Sequence, residues 1–380
     1  MATSTTAPDR VTSTAPAPAS RLRRADGGPR TTLVEQRVDG LFEHPVDVVH
    51  PVRMPRPPSG CWDGPVPHDS PAQLGLGLAA VGRPSYLTLG RDADLPTDRS
   101  PAVLEARTHE LLTAATALGI EYVDTARSYG RAEEFLASWL RTAGTVPFVA
   151  SKWGYRYTAD WRPDAEVHEV KEHTTAAFER QLAETTALLG PWLRIYQVHS
   201  LTADSPLWTD RPLQHRLARL RADGVELGFS TSGAAQADAV RRGLELTVDG
   251  AQLFTTVQST WNLLEPSAGP ALAEASAAGA RVVVKEGVAN GRLTDRGTAP
   301  GSPLAAAAAE RGVGVDAVAL AAALARPWCD VVLSGAVTVA QLESNAAARS
   351  LGPVADRADD WVQPEDPAEY WSARSRLSWR

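Results

Sequence analysis

The stretch EYVDTARSYG, residues 121–130, begins with a short apolar run that ends in polar residues. The segment before it, residues 102–118, has helical spacing and is followed by Gly119, a residue that commonly closes helices. The segment after it, residues 131–142, has helical spacing again. A near-continuous apolar strand between two helices is typical of a parallel sheet that helices cover. The stretch therefore predicts a strand–helix unit.

The same unit recurs along the chain from about residue 74 onward. We predict eight strands, at residues 74–81, 121–125, 148–153, 194–200, 226–230, 255–259, 281–286 and 331–335. Helical segments between them include residues 165–189, residues 213–222 and a helical pair over residues 302–327. Eight such units in about 280 residues fit a closed (β/α)8 TIM barrel better than an open doubly wound sheet. We therefore predict an α/β fold with the barrel at residues 73–350.

The two ends of the chain differ from this repeating region. Residues 1–30 are rich in Ala, Pro, Thr, Ser and Arg and cannot bury much apolar surface, so we predict that they are disordered. Residues 31–72 contain many prolines and are predicted to form an extended arm. The tail, residues 351–380, is predicted to pack on the barrel, because large rings seldom remain free. Its rings are those of Trp361, Tyr370, Trp371 and Trp379.

Composition and charge argue against several classes of function. The 38 Lys and Arg against 45 Asp and Glu give the 380-residue chain a net charge of -7, which argues against nucleic acid as a partner. No apolar run reaches the roughly 20 residues that span a bilayer, so no membrane association is expected. Cys61 and Cys329 are far apart and indicate neither a disulfide framework nor a zinc site. We expect a cytoplasmic protein, and the Arg-rich, Lys-poor composition is typical of GC-rich bacterial genomes.

Polar residues end seven of the predicted strands. A single residue of this kind could simply meet solvent, but in a TIM barrel the carboxyl ends of the strands converge on the active-site face. Two of the three lysines of the chain belong to this set, and a lysine ammonium is a more compact donor than a guanidinium. The residues are Asp124, Lys152, His199, Ser230, Gln258, Lys285 with Glu286, and Ser334.

Two other patterns carry less weight. The segment GLGLAA, residues 75–80, fits the glycine pattern of a dinucleotide-binding turn, but no helix follows it. We interpret its glycines as thinning the first strand or its loop. His168 and His173 are five residues apart and would lie on different faces of a helix, so no metal site is predicted.

The segment DTARSYG, residues 124–130, followed by the acidic pair at residues 133–134, resembles the aldo-keto reductase family. Further landmarks follow in the order of the family: SK at 151–152, YQVHS at 196–200, GFS at 228–230, VQSTWNLL at 257–264, ANGRL at 289–293, SGA at 334–336 and QLESN at 341–345. The resemblance covers roughly residues 74–350. It implies hydride transfer between a nicotinamide cofactor and a carbonyl or alcohol substrate.

Carried over to this sequence, the resemblance makes Tyr129 the proton donor and His199 the residue that orients the carbonyl. Lys152 and Asp124 correspond to the pair that tunes the donor. A carbonyl that accepts hydride needs a proton, and a phenol with a pKa of about 10 is a poor donor at pH 7. An ammonium about 4 Å away lowers a phenol pKa by up to about three units at an effective dielectric of about 20. We therefore expect Lys152 to bring the pKa of Tyr129 near neutrality.

The resemblance also implies NADP(H), with NAD(H) possible, lying across the strand ends with its phosphates at the amides that open the last helix. Three positions depart from the family. Lys285 replaces an aromatic residue that stacks on the nicotinamide, Thr231 replaces an asparagine, and residues 337–340 lack a basic residue that often binds the 2'-phosphate. The candidate cofactor-binding residues are Ser230, Thr231, Gln258, Lys285, Ser334, Gly335, Gln341 and Asn345.

Two functions are compatible with these observations. The first is an oxidoreductase that acts on a small-molecule carbonyl or alcohol, such as an aldehyde, a ketone or a sugar-like compound. The second is a catalytically weak, cofactor-sensing or regulatory barrel whose N-terminal extension binds an unknown protein partner. Residues 84–101, 155–163 and 201–212 would wall a substrate pocket, in which Trp161 and Trp208 either face the substrate or serve as packing anchors.

Overall fold

The computed structural model describes residues 72–352, 354, 357 and 360–379. The predicted disorder over residues 1–30 and nearly all of the predicted arm lie outside these residues. The strands are β1 (Gln73–Gly77), β2 (Tyr122–Asp124), β3 (Phe148–Trp153), β4 (Tyr155–Tyr157), β5 (Glu169–Lys171), β6 (Leu193–Val198), β7 (Glu226–Ser230), β8 (Thr247–Val248), β9 (Ala251–Gln252), β10 (Thr256–Thr260), β11 (Arg281–Lys285) and β12 (Val331–Ser334).

Eight of these strands close into a parallel barrel in the order β1-β2-β3-β6-β7-β10-β11-β12. The other four pair as two antiparallel hairpins, β4 with β5 and β8 with β9. Each barrel strand pairs with the barrel strand that precedes it in the sequence, and β12 pairs back onto β1. The predicted TIM barrel is confirmed.

Helices cover the outside of the barrel. They are α1 (Arg91–Asp94), α2 (Pro101–Ala117), α3 (Ala132–Leu140), α4 (Thr175–Leu189), α5 (Arg211–Ala222), α6 (Gln236–Glu245), α7 (Gly269–Ala277), α8 (Pro303–Arg311), α9 (Val315–Leu324), α10 (Val339–Ala346) and α11 (Pro367–Ser375). Several begin at a side chain that accepts a hydrogen bond from a first-turn amide, as Thr174 does for α4 and Thr338 for α10. Within the described residues, no helix combines the length and apolar character that crossing a membrane requires.

Two predicted elements differ from the structure. The helix predicted from residue 165 begins only after the Thr174 cap, because residues 169–171 pair with β4 as a hairpin strand. His168 and His173 therefore do not lie on a helix. The first strand ends at Gly77 instead of residue 81, because a turn follows in which the Gly82 amide donates to the Leu78 carbonyl oxygen at 3.0 Å.

The apolar core has two parts. One lies between the strands and the surrounding helices, and the other fills the inside of the barrel. A Cβ on Gly75 of β1 would lie 2.9 Å from Leu333 Cδ2 and 3.1 Å from Tyr122 Cδ1, so a side chain has no room there. The two glycines of residues 75–80, Gly75 and Gly77, thus both belong to strand β1 of the barrel wall. The side chains of the inner core are Tyr122, Phe148, Ala150, Ile195, Val283, Val331 and Leu333.

The C-terminal tail packs on the barrel, as predicted. Tyr370 of α11 is 1% exposed, and its hydroxyl accepts a hydrogen bond from Asn262 Nδ2 at 3.0 Å. Trp379 stacks on His168 beside the β4–β5 hairpin, with ring centroids 4.4 Å apart. These contacts bring the tail to the carboxyl ends of the strands, where the polar residues converge.

Candidate active site

Three of the predicted site residues meet at the ends of β2 and β3. The Lys152 ammonium contacts Asp124 Oδ1 directly, donates to the Thr125 carbonyl oxygen at 3.0 Å, and lies 3.3 Å from the Tyr129 hydroxyl. Lys152 is 1% exposed and Asp124 2% exposed, so both charges are removed from water and the ion pair compensates each of them. The lysine is thereby held against the phenol.

Two amide side chains fix the other carboxylate oxygen of Asp124. Gln258 Nε2 of β10 donates to Asp124 Oδ2 at 2.8 Å, and Gln197 Nε2 of β6 donates to it at 3.4 Å. Gln258 was a candidate cofactor ligand, and the structure gives it a positioning contact with Asp124 in addition to a place in the cavity described below. Gln197 was not predicted as a site residue, although it lies on β6 two residues before His199.

His199, directly after β6, completes the cluster. Its Nε2 lies 3.4 Å from the Tyr129 hydroxyl and its Nδ1 lies 3.4 Å from the Ser128 hydroxyl. Burial, followed by the Lys152 charge, holds the pKa of His199 well below its ordinary value, so the ring is neutral at pH 7. A hydroxyl that donates to Nδ1 favours the tautomer with the proton on Nε2, the nitrogen that faces the phenol.

Burial dominates the electrostatics of the phenol itself. It raises the pKa of Tyr129 well above the ordinary value; the Asp124 carboxylate raises it further, and the Arg83 guanidinium acts in the opposite direction. The expectation that Lys152 brings this pKa near neutrality is therefore wrong. The positive charge of Lys152 is matched by its direct contact with Asp124, while the phenol is 8% exposed. The hydroxyl is protonated at neutral pH, the state that a proton donor requires.

The loop after β1 fixes the backbone that carries Tyr129. A Cβ on Gly82 would lie 2.6 Å from the Tyr129 carbonyl oxygen and 2.3 Å from Ala132 Cβ, so only glycine allows this approach. The Arg131 amide donates to the Gly82 carbonyl oxygen at 2.9 Å. The phenol is thus positioned by two loops packed directly on each other.

Two cavities meet above the strand ends. The tyrosine cavity, of about 100 Å³, is lined by Tyr129 and Asp124 together with Gln258 and Lys285. The α10 cavity, of about 360 Å³, is lined by the start of α10, by α1 and by residues 294–296. Thr88, Val288 and Gly335 line both cavities, so the two adjoin at these residues.

The structure brings four of the candidate cofactor residues to the α10 cavity or its border. Gly335, Gln341 and Asn345 line it, and Ser334 lines the tyrosine cavity beside it. Asn345 Nδ2 donates to Ser334 Oγ at 2.7 Å. The amides that open α10 are only partly available, because the Val337 amide already donates to Gln341 Oε1 at 3.0 Å.

Ser230 and Thr231 do not reach either cavity. Ser230 Oγ accepts from the Ser200 amide at 2.8 Å, and the Thr231 hydroxyl is 2.7 Å from Ser259 Oγ. Both side chains are fully buried in these contacts. These contacts join the end of β7 to the loop after β6 and to β10.

Lys285 is engaged by neighbouring polar groups. Its ammonium donates to Thr260 Oγ1 at 2.6 Å and lies 3.8 Å from Glu286 Oε1. Burial lowers the pKa of Lys285 to about 8. Burial alone would raise the pKa of Glu286, but the charges of Arg374 and then Lys285 outweigh it and lower this pKa to about 2. A partly buried ionic group therefore stands at the position where the resemblance leads us to expect an aromatic ring.

The two tryptophans of the predicted pocket walls are held by the protein. Trp161 Nε1 donates to the Arg99 carbonyl oxygen at 2.8 Å, and Trp208 Nε1 donates to the Thr202 carbonyl oxygen at 2.8 Å. Arg242 also stacks over the Trp208 ring at 4.2 Å. Of the two alternatives, these contacts favour packing anchors.

Sequence reasoning missed two residues at or beside the tyrosine cavity, Tyr86 and Arg83, and gave no specific role to a third, Glu286. Tyr86 and Glu286 line it, and Arg83 stacks over both the Tyr86 and Tyr129 rings. Glu286 was noted only as a polar strand end. The segment Gly82-Arg83-Pro84 indicates a loop and gives no sign that its arginine is 1% exposed.

The aldo/keto reductase family model matches residues 96–360, and the chain belongs to this family. Similar solved structures include aldo-keto reductase AKR11C1 from Bacillus halodurans in its holo form, with 20% identity, a TM-score of 0.58 and coverage of 77% of this chain and 92% of that one. The glycerol dehydrogenase AKR11B4 from Gluconobacter oxydans has 18% identity and a TM-score of 0.54, with 84% and 93% covered. A search of curated proteins finds no significant match.

Proposed function

We propose that this protein is an NAD(P)(H)-dependent oxidoreductase that transfers a hydride between nicotinamide and a carbonyl or alcohol, with Tyr129 as the general acid and base. The observation that carries the proposal is the position of the Tyr129 hydroxyl, 3.3 Å from Lys152 Nζ and 3.4 Å from His199 Nε2 at the wall of a cavity. Membership of the aldo/keto reductase family supports the reaction class.

The residues present fit a nicotinamide dinucleotide. Gly335 lines both cavities, and a Cβ on it would meet no atom within 4 Å, so the backbone there borders open space at the junction. An extended ligand could pass this junction with one end at Tyr129 and the other at Gln341 and Asn345. When bound, the cofactor supplies or accepts the hydride.

The side chains of this protein supply the proton and hold the substrate oxygen. In the direction of reduction, Tyr129 donates its proton to the substrate oxygen as negative charge develops there. His199 donates from Nε2 to the same oxygen and thereby orients it. Lys152, held by Asp124, stabilises the phenolate that remains. The high pKa of Tyr129 keeps its proton in place until the oxygen becomes basic enough to take it.

The choice between NADP(H) and NAD(H) depends on the α10 cavity. Its exposed cation is Arg296, whose guanidinium donates to both oxygens of Asp94 at 2.9 Å. The Asp94 carboxylate neutralises the positive charge of Arg296, which a 2'-phosphate would need for binding. This pairing favours NAD(H) more than the family default suggests, and we propose that both cofactors bind.

The test is a titration of the purified protein with NADPH and, separately, NADH, followed by quenching of its tryptophan fluorescence. Cofactor oxidation is then measured with a panel of aldehydes, ketones and sugar-like compounds. Tyr129→Phe is the matched variant, because it removes one hydroxyl from the site. We expect it to retain cofactor affinity and to lose turnover by about 10²–10⁴-fold.

The alternative of a cofactor-sensing barrel predicts a different outcome. Such a protein would bind the cofactor with no turnover on any compound of the panel, and Tyr129→Phe would change nothing. Failure of both cofactors to bind below about millimolar, a free energy of only about -4 kcal/mol, would contradict the proposal.

A further inference from the structure

Arg83 is a buried cation at the catalytic phenol that no sequence pattern indicated. Its guanidinium lies over three aromatic rings, at 5.2 Å from the centroid of Tyr129, 4.9 Å from that of Tyr86 and 5.0 Å from that of Trp379. The residue is 1% exposed. A guanidinium at this distance from a ring face attracts the ring electrons, and it attracts a phenolate more strongly than a phenol.

The guanidinium is held in place from three directions. Nη1 donates to the Ser128 carbonyl oxygen at 3.1 Å, next to Tyr129 in the chain, and Nε lies 3.3 Å from the Ala79 carbonyl oxygen. The same Nη1 forms an ion pair with Glu169 Oε2 of the β4–β5 hairpin at 2.9 Å. Because Glu169 is partly exposed, it offsets only a part of the field that Arg83 exerts on the buried ring.

We propose that Arg83 is a positioning residue that stabilises the phenolate of Tyr129 and sets its ionisation, with Glu169 as the opposing charge that limits this effect. The inference deepens the proposed function, since it concerns the proton step of the same site. In that step the Tyr129 O–H bond breaks, a new O–H bond forms on the substrate oxygen, and the phenolate keeps the electron pair. Arg83, 5.2 Å from the centroid of the ring, lowers the free energy of this phenolate.

Other charged groups also face the phenol, and none of them duplicates this arrangement. Lys152 is in direct contact with Asp124, so the net charge of that pair is near zero. Among the charges that act on the pKa of Tyr129, Arg83 is the first that lowers it. The titratable groups that face Tyr129 are Tyr86 of the β1 loop, Asp124 of β2, Lys152 of β3, Glu169 of β5, His199 after β6 and Glu286 after β11.

The experiment places a fluorinated tyrosine at position 129 and follows its ionisation by ¹⁹F NMR. Fluorination lowers a phenol pKa, which brings the titration into an accessible range, and the readout needs no turnover. At an effective dielectric of about 20, a cation about 5 Å away lowers a phenol pKa by about two units. Since Glu169 cancels part of this, we expect Arg83→Gln to raise the pKa by about one unit.

Glu169→Gln should lower the same pKa, because it removes the opposing anion and leaves Arg83 in place. Arg83→Lys should stay near the parent, since the charge is kept. Arg91→Gln is the control for loosening of the loop: this buried arginine holds it through the Ala80, Arg83 and Pro84 carbonyl oxygens and does not stack on Tyr129. It should shift the pKa less than Arg83→Gln does.

Equal shifts in Arg83→Gln and Arg91→Gln, or an upward shift in Glu169→Gln, would overturn the proposal. If Arg83→Gln does not fold, the sign of the Glu169→Gln shift decides alone. In protein that is active, the pH at which alcohol oxidation reaches half its maximum should move in the same directions. A third outcome separates the two proposals. If Arg83→Gln raises the Tyr129 pKa and Glu169→Gln lowers it, but no carbonyl is turned over, the role of Arg83 is supported and the proposed function is contradicted.

Discussion

Arg374 of α11 forms a partly buried ion pair with Glu286, the residue that follows β11 at the wall of the tyrosine cavity. Arg374 Nε donates to Glu286 Oε2 at 2.8 Å, and a second guanidinium nitrogen contacts Oε1. The pair attaches the C-terminal helix to the rim of the site. It also keeps Glu286 ionised, since its pKa is about 2 despite its burial.

Removal of the arginine should leave Glu286 with only the more distant Lys285 ammonium, 3.8 Å away, as its counter-charge. We expect Arg374→Met to lower the free energy of unfolding by about 2 kcal/mol, less than breaking a fully buried pair costs, because Arg374 is partly exposed. The double variant Arg374→Met, Glu286→Gln should lose less, because the carboxylate charge is removed together with its main partner. Urea denaturation, followed by tryptophan fluorescence, measures the free energy of unfolding of both variants. Identical midpoints for the single and double variants would show that the ion pair does not anchor the helix.

The Gly82 approach to Tyr129 gives a second prediction. In Gly82→Ala the new methyl group would lie 2.6 Å from the Tyr129 carbonyl oxygen, so one loop must move and carry the phenol with it. A displacement of about 1 Å at a reacting group can cost about 10²-fold in rate. We expect a loss of this size in turnover with cofactor affinity retained.

Gly144→Ala is the control for this substitution. A Cβ at Gly144 meets no atom within 4 Å, and the residue lies in the loop between α3 and β3, away from the site. Its turnover should equal that of the parent. Full activity in Gly82→Ala would mean that the contact between the two loops does not position the phenol.

The sequence predicts most of this fold because the information is local. Each barrel strand is a run of apolar residues, and β7 occupies the predicted residues 226–230. The predicted helix over residues 165–189 is present from Thr175 onward, and only its predicted start is wrong, because residues 169–171 pair with β4, and such pairing leaves no trace in local helical spacing.

The candidate site likewise has one part that the sequence predicts and another that it does not. Asp124 and Tyr129 lie in one motif, and the strand ends bring Lys152 and His199 to it, as the barrel geometry predicts. The pKa of Tyr129 could not be predicted, because it depends on how deeply the folded chain buries the ring. The contact between Gln258 and Asp124 joins residues 134 positions apart and has no local signal either.

The buried histidine His173 gives a prediction for pH. Its Nε2 donates to the His199 carbonyl oxygen at 2.8 Å, and its Nδ1 is 2.7 Å from Ser205 Oγ. Burial lowers the pKa of His173 to about 4, against about 6.5 in an unfolded chain. Between these values the unfolded chain binds more protons, so stability is complete above pH about 6.5 and declines as the pH falls toward 4, by up to about 3 kcal/mol.

His173→Gln removes this titration. We expect the variant to be less stable than the parent at pH 7.5 and the difference to narrow at pH 5, as measured by urea denaturation at each pH. His215→Gln serves as the control, since His215 is half exposed and pairs with Asp249 at the surface. A difference between parent and His173→Gln that is constant with pH would contradict the assignment of a neutral buried ring.

The pair of Asp94 and Arg296 gives a prediction for cofactor choice. The two side chains face each other across the border of the α10 cavity, and hydrogen bonds from Arg296 hold the pKa of Asp94 below its ordinary value. NADPH carries a 2'-phosphate that NADH lacks. A guanidinium freed from its carboxylate would be able to bind that phosphate through two parallel hydrogen bonds.

We therefore expect Asp94→Asn to raise the ratio of NADPH affinity to NADH affinity by about 10-fold at low salt, a free-energy change of about 1.4 kcal/mol. Arg296→Gln should lower the same ratio, and added salt should reduce the gain in Asp94→Asn because the pair is partly exposed. Fluorescence titrations of the parent and of both variants with each cofactor give the six affinities. A ratio that does not respond to either substitution would mean that the 2'-position of the cofactor lies away from Arg296, and that another part of the α10 cavity discriminates between the two cofactors.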